Sequence, residues 1–142
     1  VGSAIVASLA GEGVGAITLV DTHRASAEAL AARVIAHHPA VAVEVGRNDP
    51  AGYDLVVNAT PLGMKPDDPL PFDVSRLAPS TFVGEVVMKQ EITPLLAAAR
   101  ARGCRYQVGT DMLFEMIPAY LEFFGFGTAT PDELRAVAKV SY

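Results

Sequence analysis

Asp54-Leu55-Val56-Val57-Asn58-Ala59-Thr60-Pro61-Leu62-Gly63-Met64 is the stretch whose reading decides the fold. An apolar run ends abruptly in a small-residue turn that carries Asn, Thr, Pro and Gly together. Such a run reads as a buried parallel strand, and open α/β sheets bind their ligands just past the carboxyl ends of such strands. The turn at 58–64 is therefore expected where a ligand is gripped.

Upstream of that stretch, helix and strand signals alternate. Ser3 to Ala10 places Ile5, Val6 and Leu9 at helical spacing, with Gly11 and Gly13 to end the helix. Ala16 to Val20 is a β-branched run that closes on Asp21, and Ala25 to Ala36 is an alanine-rich helix. Val41 to Val45 reads as a further strand. Downstream, a proline-rich loop, Lys65 to Pro79, leads to a strand over Thr81 to Met88. A helix over Thr93 to Arg102 opens with Pro94 in its first turn. Arg105 to Val108 is a strand, and Asp111 to Phe124 a long apolar helix with Pro118 as a kink candidate. Thr130-Pro131-Asp132-Glu133 starts a last helix. This alternation with short loops predicts an α/β, doubly wound parallel sheet of Rossmann-like type.

Composition narrows the function classes. A chain of 142 residues, 51% hydrophobic, suits one domain over 1–142 with a real core. Its net charge is −5 and its basic residues are scattered, which argues against nucleic acid as a partner. No apolar run approaches the roughly twenty residues that span a bilayer. No signal peptide is visible, so the expected partners exclude a membrane and the expected compartment is the cytoplasm. The single cysteine, Cys104, reads as structural. His37 and His38 precede Pro39 at a helix end, where imidazolium suits the helix dipole. No His or Cys pair has metal-ligand spacing, and no metal is expected.

The opening residues resemble the tail of a nucleotide-binding loop. Gly2, followed by Ser3, stands where the third glycine of a G-x-G-x-x-G turn would let a helix pack closely on a strand. The first strand and the earlier glycines are expected to be missing. About twenty residues on, Asp21 sits where an acid holds the ribose hydroxyls of NAD. Thr22 adds no positive charge, which favours NAD, while Arg24 offers a partner for the 2′-phosphate of NADP. A plain helix start at Gly2, and a helix N-cap at Asp21, are the competing structural readings.

Three ordered motifs resemble the shikimate and quinate dehydrogenases. Asn58-Ala59-Thr60-Pro61-Leu62-Gly63-Met64 is similar to the family's N-A-T-x-x-G-M turn, which borders the nicotinamide side of the cofactor. Thr93-Pro94-Leu95-Leu96 with Ala99 and Gly103 resembles its T-P-L-L-x-x-A-x-x-x-G helix. Gly109 with Met112-Leu113 resembles its G-x-x-M-L start of the helix lining the cleft. The resemblance implies cofactor positions at Gly2, Ser3, Asp21, Thr22, Arg24, Asn58, Ala59, Thr60, Pro61, Met64, Val86 and Gly109. It also implies an oxidoreductase passing hydride between NAD, or NADP, and shikimate, quinate or a related ring hydroxy acid. In such enzymes a Lys and an Asp from a separate N-terminal domain handle the proton. No catalytic residue is therefore expected here, and the chain alone is expected to be inactive. Lys65 and Asp67 read as a solvated loop.

The sequence departs from the family where substrate would be met. Glu85-Val86-Val87-Met88-Lys89-Gln90 replaces D-x-V-Y-x-P, so Met88 stands in place of a tyrosine. Met116 stands in place of a glutamine that bonds substrate hydroxyls, or packs in the core. Loss of two hydrogen-bonding groups points to a different or less hydroxylated ring acid. Phe123, Phe124 and Phe126 read as core, or as a surface covered by the missing domain. A homodimer is one assembly compatible with the fold. Two alternatives stay open: a non-catalytic sensor of dinucleotide or ring acid, and a methyltransferase using S-adenosylmethionine. The second leaves the 58–64 turn and the T-P-L-L helix unexplained.

Overall fold

The computed structural model describes residues 1–140, and the chain divides into two compact units, Val1–Asp49 and Pro50 onward. In the first unit, α1 (Gly2–Gly11) is followed by β1 (Ala16–Leu19), α2 (Arg24–His37) and β2 (Ala42–Val45). β1 and β2 pair in parallel, with Ala16 opposite Ala42 and Leu19 opposite Val45. Val6 and Ala10 of α1, Leu19, Val41, and Ala27, Ala31 and Val34 of α2 form the core. The last three recur at helical spacing, so one stripe of α2 is buried while Ile35 beside it is exposed.

The second unit carries β3 (Leu55–Asn58), β4 (Phe82–Glu85), α3 (Pro94–Ala101), β5 (Arg105–Gln107), α4 (Gly109–Phe123) and α5 (Pro131–Val137). Its three strands are parallel in the order β3-β4-β5. Leu77, Val83, Leu95, Leu96, Ala99 and Cys104 make its core. Cys104 is buried and its thiol donates to the Ala78 carbonyl at 3.2 Å, in keeping with a structural role. Arg102 clamps the neighbouring Leu77 carbonyl from Nε and a terminal nitrogen, at 3.0 and 2.8 Å.

The expected parallel α/β alternation is present, with differences at its edges. The strand expected over Thr81 to Met88 ends at Glu85, because its partner β3 stops at Asn58 and turns away. The helix expected from Asp111 starts at Gly109, and Pro118 lies inside α4 without ending it. The loop from Lys65 to Pro79 contains a single 3-10 turn, Val74–Arg76, which delivers Leu77 to the core. The expected N-cap at Thr130 is real: its hydroxyl accepts from the Glu133 N–H, and the Glu133 carboxylate accepts from the Thr130 N–H at 2.8 Å. Those Thr130 bonds, backbone first and hydroxyl second, hold the Glu133 carboxyl below its usual range. Arg135 ties α5 to α4 through Glu115 at 2.8 Å and Asp111 at 3.3 Å, and its guanidinium lies 5.5 Å over the Phe114 ring. The Glu115 bond chiefly raises the pKa of that guanidinium. Among the described residues no helix is long and apolar enough to cross a membrane.

Candidate functional site

Parallel pairing in the second unit puts Asn58 and Glu85 opposite one another, each the last residue of its strand. Asn58 is only 2% exposed, so its amide must find partners within the protein. Nδ2 donates to the Leu62 carbonyl at 3.0 Å and to Glu85 Oε1 at 2.8 Å. Oδ1 accepts from the Thr60 N–H at 3.1 Å and from the Thr60 hydroxyl at 2.7 Å. Thr60 Oγ1 in turn accepts from the Leu62 N–H at 3.1 Å. One strand-end side chain thus folds the next four residues around itself. Gly63 follows with φ +100°, a conformation that side-chain-bearing residues rarely adopt. Asp68 fastens the far end, accepting from the Gly63 and Lys65 N–H groups at 3.1 and 2.9 Å. Pro61 and Met64 are left exposed on this frame, with Ala59 half-buried.

Glu85 carries the network onward. It is 2% exposed, and its second oxygen accepts from the Thr93 hydroxyl. Thr93 is the N-cap of α3 and accepts from the Leu96 N–H at 3.2 Å, as a capping threonine does. No side-chain nitrogen or oxygen buried among the described residues lacks a hydrogen bond. Past Glu85 the chain stays extended long enough for the Val86 N–H to reach the Asn58 carbonyl at 3.3 Å. Val87 is buried, and Gly109 at the start of α4 presses against it. A Cβ on Gly109 would lie 2.0 Å from the Val87 oxygen, so only glycine lets α4 begin there. The 58–64 turn, the Val86–Met88 segment and the start of α4 therefore emerge from the carboxyl ends of β3, β4 and β5. Ligands of open α/β sheets are held at this edge.

In the first unit Gly2 and Ser3 open α1, and Asp21 stands two residues past β1. Asp21 is not the N-cap that the helix reading allowed. His23 occupies that position, and Asp21 Oδ1 accepts from the His23 N–H at 2.7 Å, ahead of the helix. Its other oxygen makes no hydrogen bond among the described residues, and Asp21 and Thr22 are both exposed. An exposed carboxylate with a free oxygen at a strand end has the acceptor chemistry that ribose hydroxyls need. Arg24 is drawn to Glu28, one helical turn on, at 2.8 Å.

The two methionines that stand in place of hydrogen-bonding residues are both exposed. Met88 is 47% and Met116 37% exposed, which removes core packing as the reading of Met116. Phe123, Phe124 and Phe126 are also exposed and are not core; the first two meet edge to face at 5.1 Å. Lys65 and Asp67 are exposed loop residues, while the neighbouring Asp68 is the one that organises the turn. Sequence reasoning missed Glu85, Thr93 and Asp68 as site-building residues. A single acid between Phe82-Val83-Gly84 and Val86-Val87 was the available signal for Glu85. Among the described residues no group of three His, Cys, Asp or Glu is placed to hold a metal.

No protein-family model matches the chain. A shikimate dehydrogenase (NADP(+)) of Rhodospirillum rubrum is 39% identical over 139 residues, covering 94% of this chain and 49% of the relative. The quinate dehydrogenase of Corynebacterium glutamicum, solved in complex with NAD, superposes with a TM-score of 0.82 at 34% identity, over 95% of this chain and 50% of that one. The chain belongs to the shikimate/quinate dehydrogenase family. It spans about half the length of the curated relatives it matches. The chain also superposes on a 5-ketofructose reductase of a Gluconobacter strain, with a TM-score of 0.79 at 26% identity, over 96% of this chain and 52% of that one. Relatives named for NADP and for NAD both occur, so a nicotinamide cofactor is common ground for the family.

Proposed function

We propose that residues 1–142 serve as the dinucleotide-binding domain of an oxidoreductase that passes hydride between a nicotinamide cofactor and shikimate, quinate or a related ring hydroxy acid. The observation that carries this reading is the Asn58–Met64 turn, closed around a buried strand-end asparagine at the carboxyl edge of a parallel sheet. When bound, the nicotinamide ring supplies the hydride acceptor or donor. Asn58, Ala59, Thr60, Pro61, Met64, Val86 and Gly109 border its end of the cofactor. Gly2, Ser3, Asp21, Thr22 and Arg24 take the adenosine and phosphate side. NAD is favoured over NADP, because the Asp21 carboxylate repels a 2′-phosphate and Thr22 adds no positive charge. The acid and base that handle the substrate proton are supplied from outside these residues, and the chain by itself is inactive. The substrate, a small molecule, is met at Met88 and Met116; the enzyme is cytoplasmic, and a homodimer is compatible with it.

A second reading has one specific observation in its favour. Met88 and Met116 are exposed where the family resemblance places hydrogen-bonding side chains, and a sensor of the dinucleotide would not need those bonds. The two readings separate in one assay of the complete gene product, following reduction of NAD and of NADP with quinate and with shikimate. Turnover that prefers NAD supports the dehydrogenase. Dinucleotide binding without turnover on either acid supports the sensor.

A further inference from the structure

We propose that Glu85 is the positioning residue of the dinucleotide site: its buried carboxylate fixes which way the Asn58 amide faces, and so sets the turn that meets the nicotinamide end. The inference rests on the proposed role of that turn. An asparagine amide has two faces, and a half-turn of the group exchanges donor for acceptor. Nothing in a strand end decides between them unless the neighbours do. Here Thr60 presents two donors to one side, and the Leu62 carbonyl and Glu85 Oε1 present two acceptors to the other.

Of these neighbours only Glu85 stands outside the turn. The Thr60 and Leu62 groups move with the turn and cannot orient it from without. A carboxylate accepts and never donates when ionised, so it draws the NH₂ side towards β4 and leaves the oxygen for Thr60. Glu85 is itself held, since Thr93 donates to its other oxygen and is anchored at the N-terminus of α3. Orientation therefore passes from α3 through Thr93 and Glu85 to Asn58 and the turn. All three side chains are at most 2% exposed, so water does not substitute for a lost member. A buried carboxylate costs desolvation that an apolar residue between Val83 and Val87 would avoid. Its presence is explained by what it orients.

Glu85→Gln keeps the shape but leaves one acceptor oxygen in place of two, so position 85 no longer accepts from Thr93 and Asn58 together and the Asn58 amide loses its fixed sense. Thr93→Val keeps the shape of its side chain, frees the carboxylate from α3 and also removes the cap on the Leu96 N–H; it serves as the second variant, read at the Thr60 and Leu62 amides. Two readouts apply to the complete gene product. Amide hydrogen exchange at Thr60 and Leu62 is expected to quicken about tenfold in Glu85→Gln while the α3 amides keep their protection. Binding of the reduced dinucleotide that the wild type takes, NADH or NADPH, is expected to weaken about tenfold. The matching fragment without nicotinamide, ADP-ribose or its 2′-phosphate, is expected to bind within about twofold of wild type. A general loss of stability would weaken both ligands together, and that result overturns the inference. Unchanged exchange at Thr60 and Leu62 in both variants overturns it as well, whatever the binding shows. A wild type that binds neither dinucleotide overturns the role given to the turn, and the exchange measurement then still decides whether Glu85 orients Asn58.

Discussion

Asn58 Nδ2 and Glu85 Oε1 lie 2.8 Å apart at the ends of adjacent parallel strands, with both residues buried. The pair converts the carboxyl edge of the β3–β4 ladder from a row of backbone groups into a fixed polar platform. The turn at 58–64 and the first turn of α3 are both attached to it.

Two glycines support that platform for different reasons, and their alanine variants should differ accordingly. Gly63 has φ +100° with its nearest neighbour, Glu85 Oε1, at 3.5 Å from a built Cβ, so Gly63→Ala meets backbone strain rather than a clash. A loss of about 1–3 kcal/mol in chemical denaturation is expected. Gly109→Ala would place its Cβ 2.0 Å from the Val87 oxygen, which forces α4 away from the Val86–Val87 backbone. Its loss should be the larger of the two, and equal stability of the two variants would contradict the close approach.

Much of this was legible in the sequence. The apolar run ending in Asn-Ala-Thr-Pro, the Thr93-Pro94 helix start and the Thr130–Glu133 cap each carry local chemistry that the structure reproduces. What was not legible depends on register. Glu85 meets Asn58 only because β3 and β4 pair with those two residues opposite, 27 positions apart in the chain. Asp21 was open to reading as a cap because an acid near a helix start often is one; its true partner is the His23 N–H, two residues on. The exposure of Met116 could not be read either, since an apolar helix gives no sign of which methionine its packing leaves out.

Cofactor choice should rest on Asp21. Asp21→Ala is expected to weaken NAD binding about tenfold, which is 1.4 kcal/mol, and to leave NADP unchanged or improved. Isothermal titration with both cofactors checks this. Equal weakening of the two would mean that the carboxylate acts through the His23 turn and not on ribose.

Substrate choice should respond to Met88 and Met116. Installing hydrogen-bonding groups, as Met88→Tyr with Met116→Gln, is expected to raise kcat/KM for quinate or shikimate by about tenfold or more. Steady-state rates on both acids test it. An unchanged or lower value would show that these methionines do not face the substrate.

The α5 cap gives a pH dependence with a defined sign. The folded-state pKa of Glu133 is lowered from its ordinary value of 4.5, through bonds from the Thr130 N–H and hydroxyl. Its contribution is therefore present above that value and is lost as pH falls through the lower, folded value. Helix α5 should fray in that acid range, seen as faster exchange at Leu134 and Arg135, and Thr130→Ala should remove the pH response.

The most direct measurement is a crystal structure of the complete gene product with NADH bound. The nicotinamide end is expected within hydrogen-bonding reach of the 58–64 turn, with the adenosine ribose on Asp21. A dinucleotide bound away from that turn, with Asn58 and Glu85 unchanged beside an empty edge, would contradict the central claim.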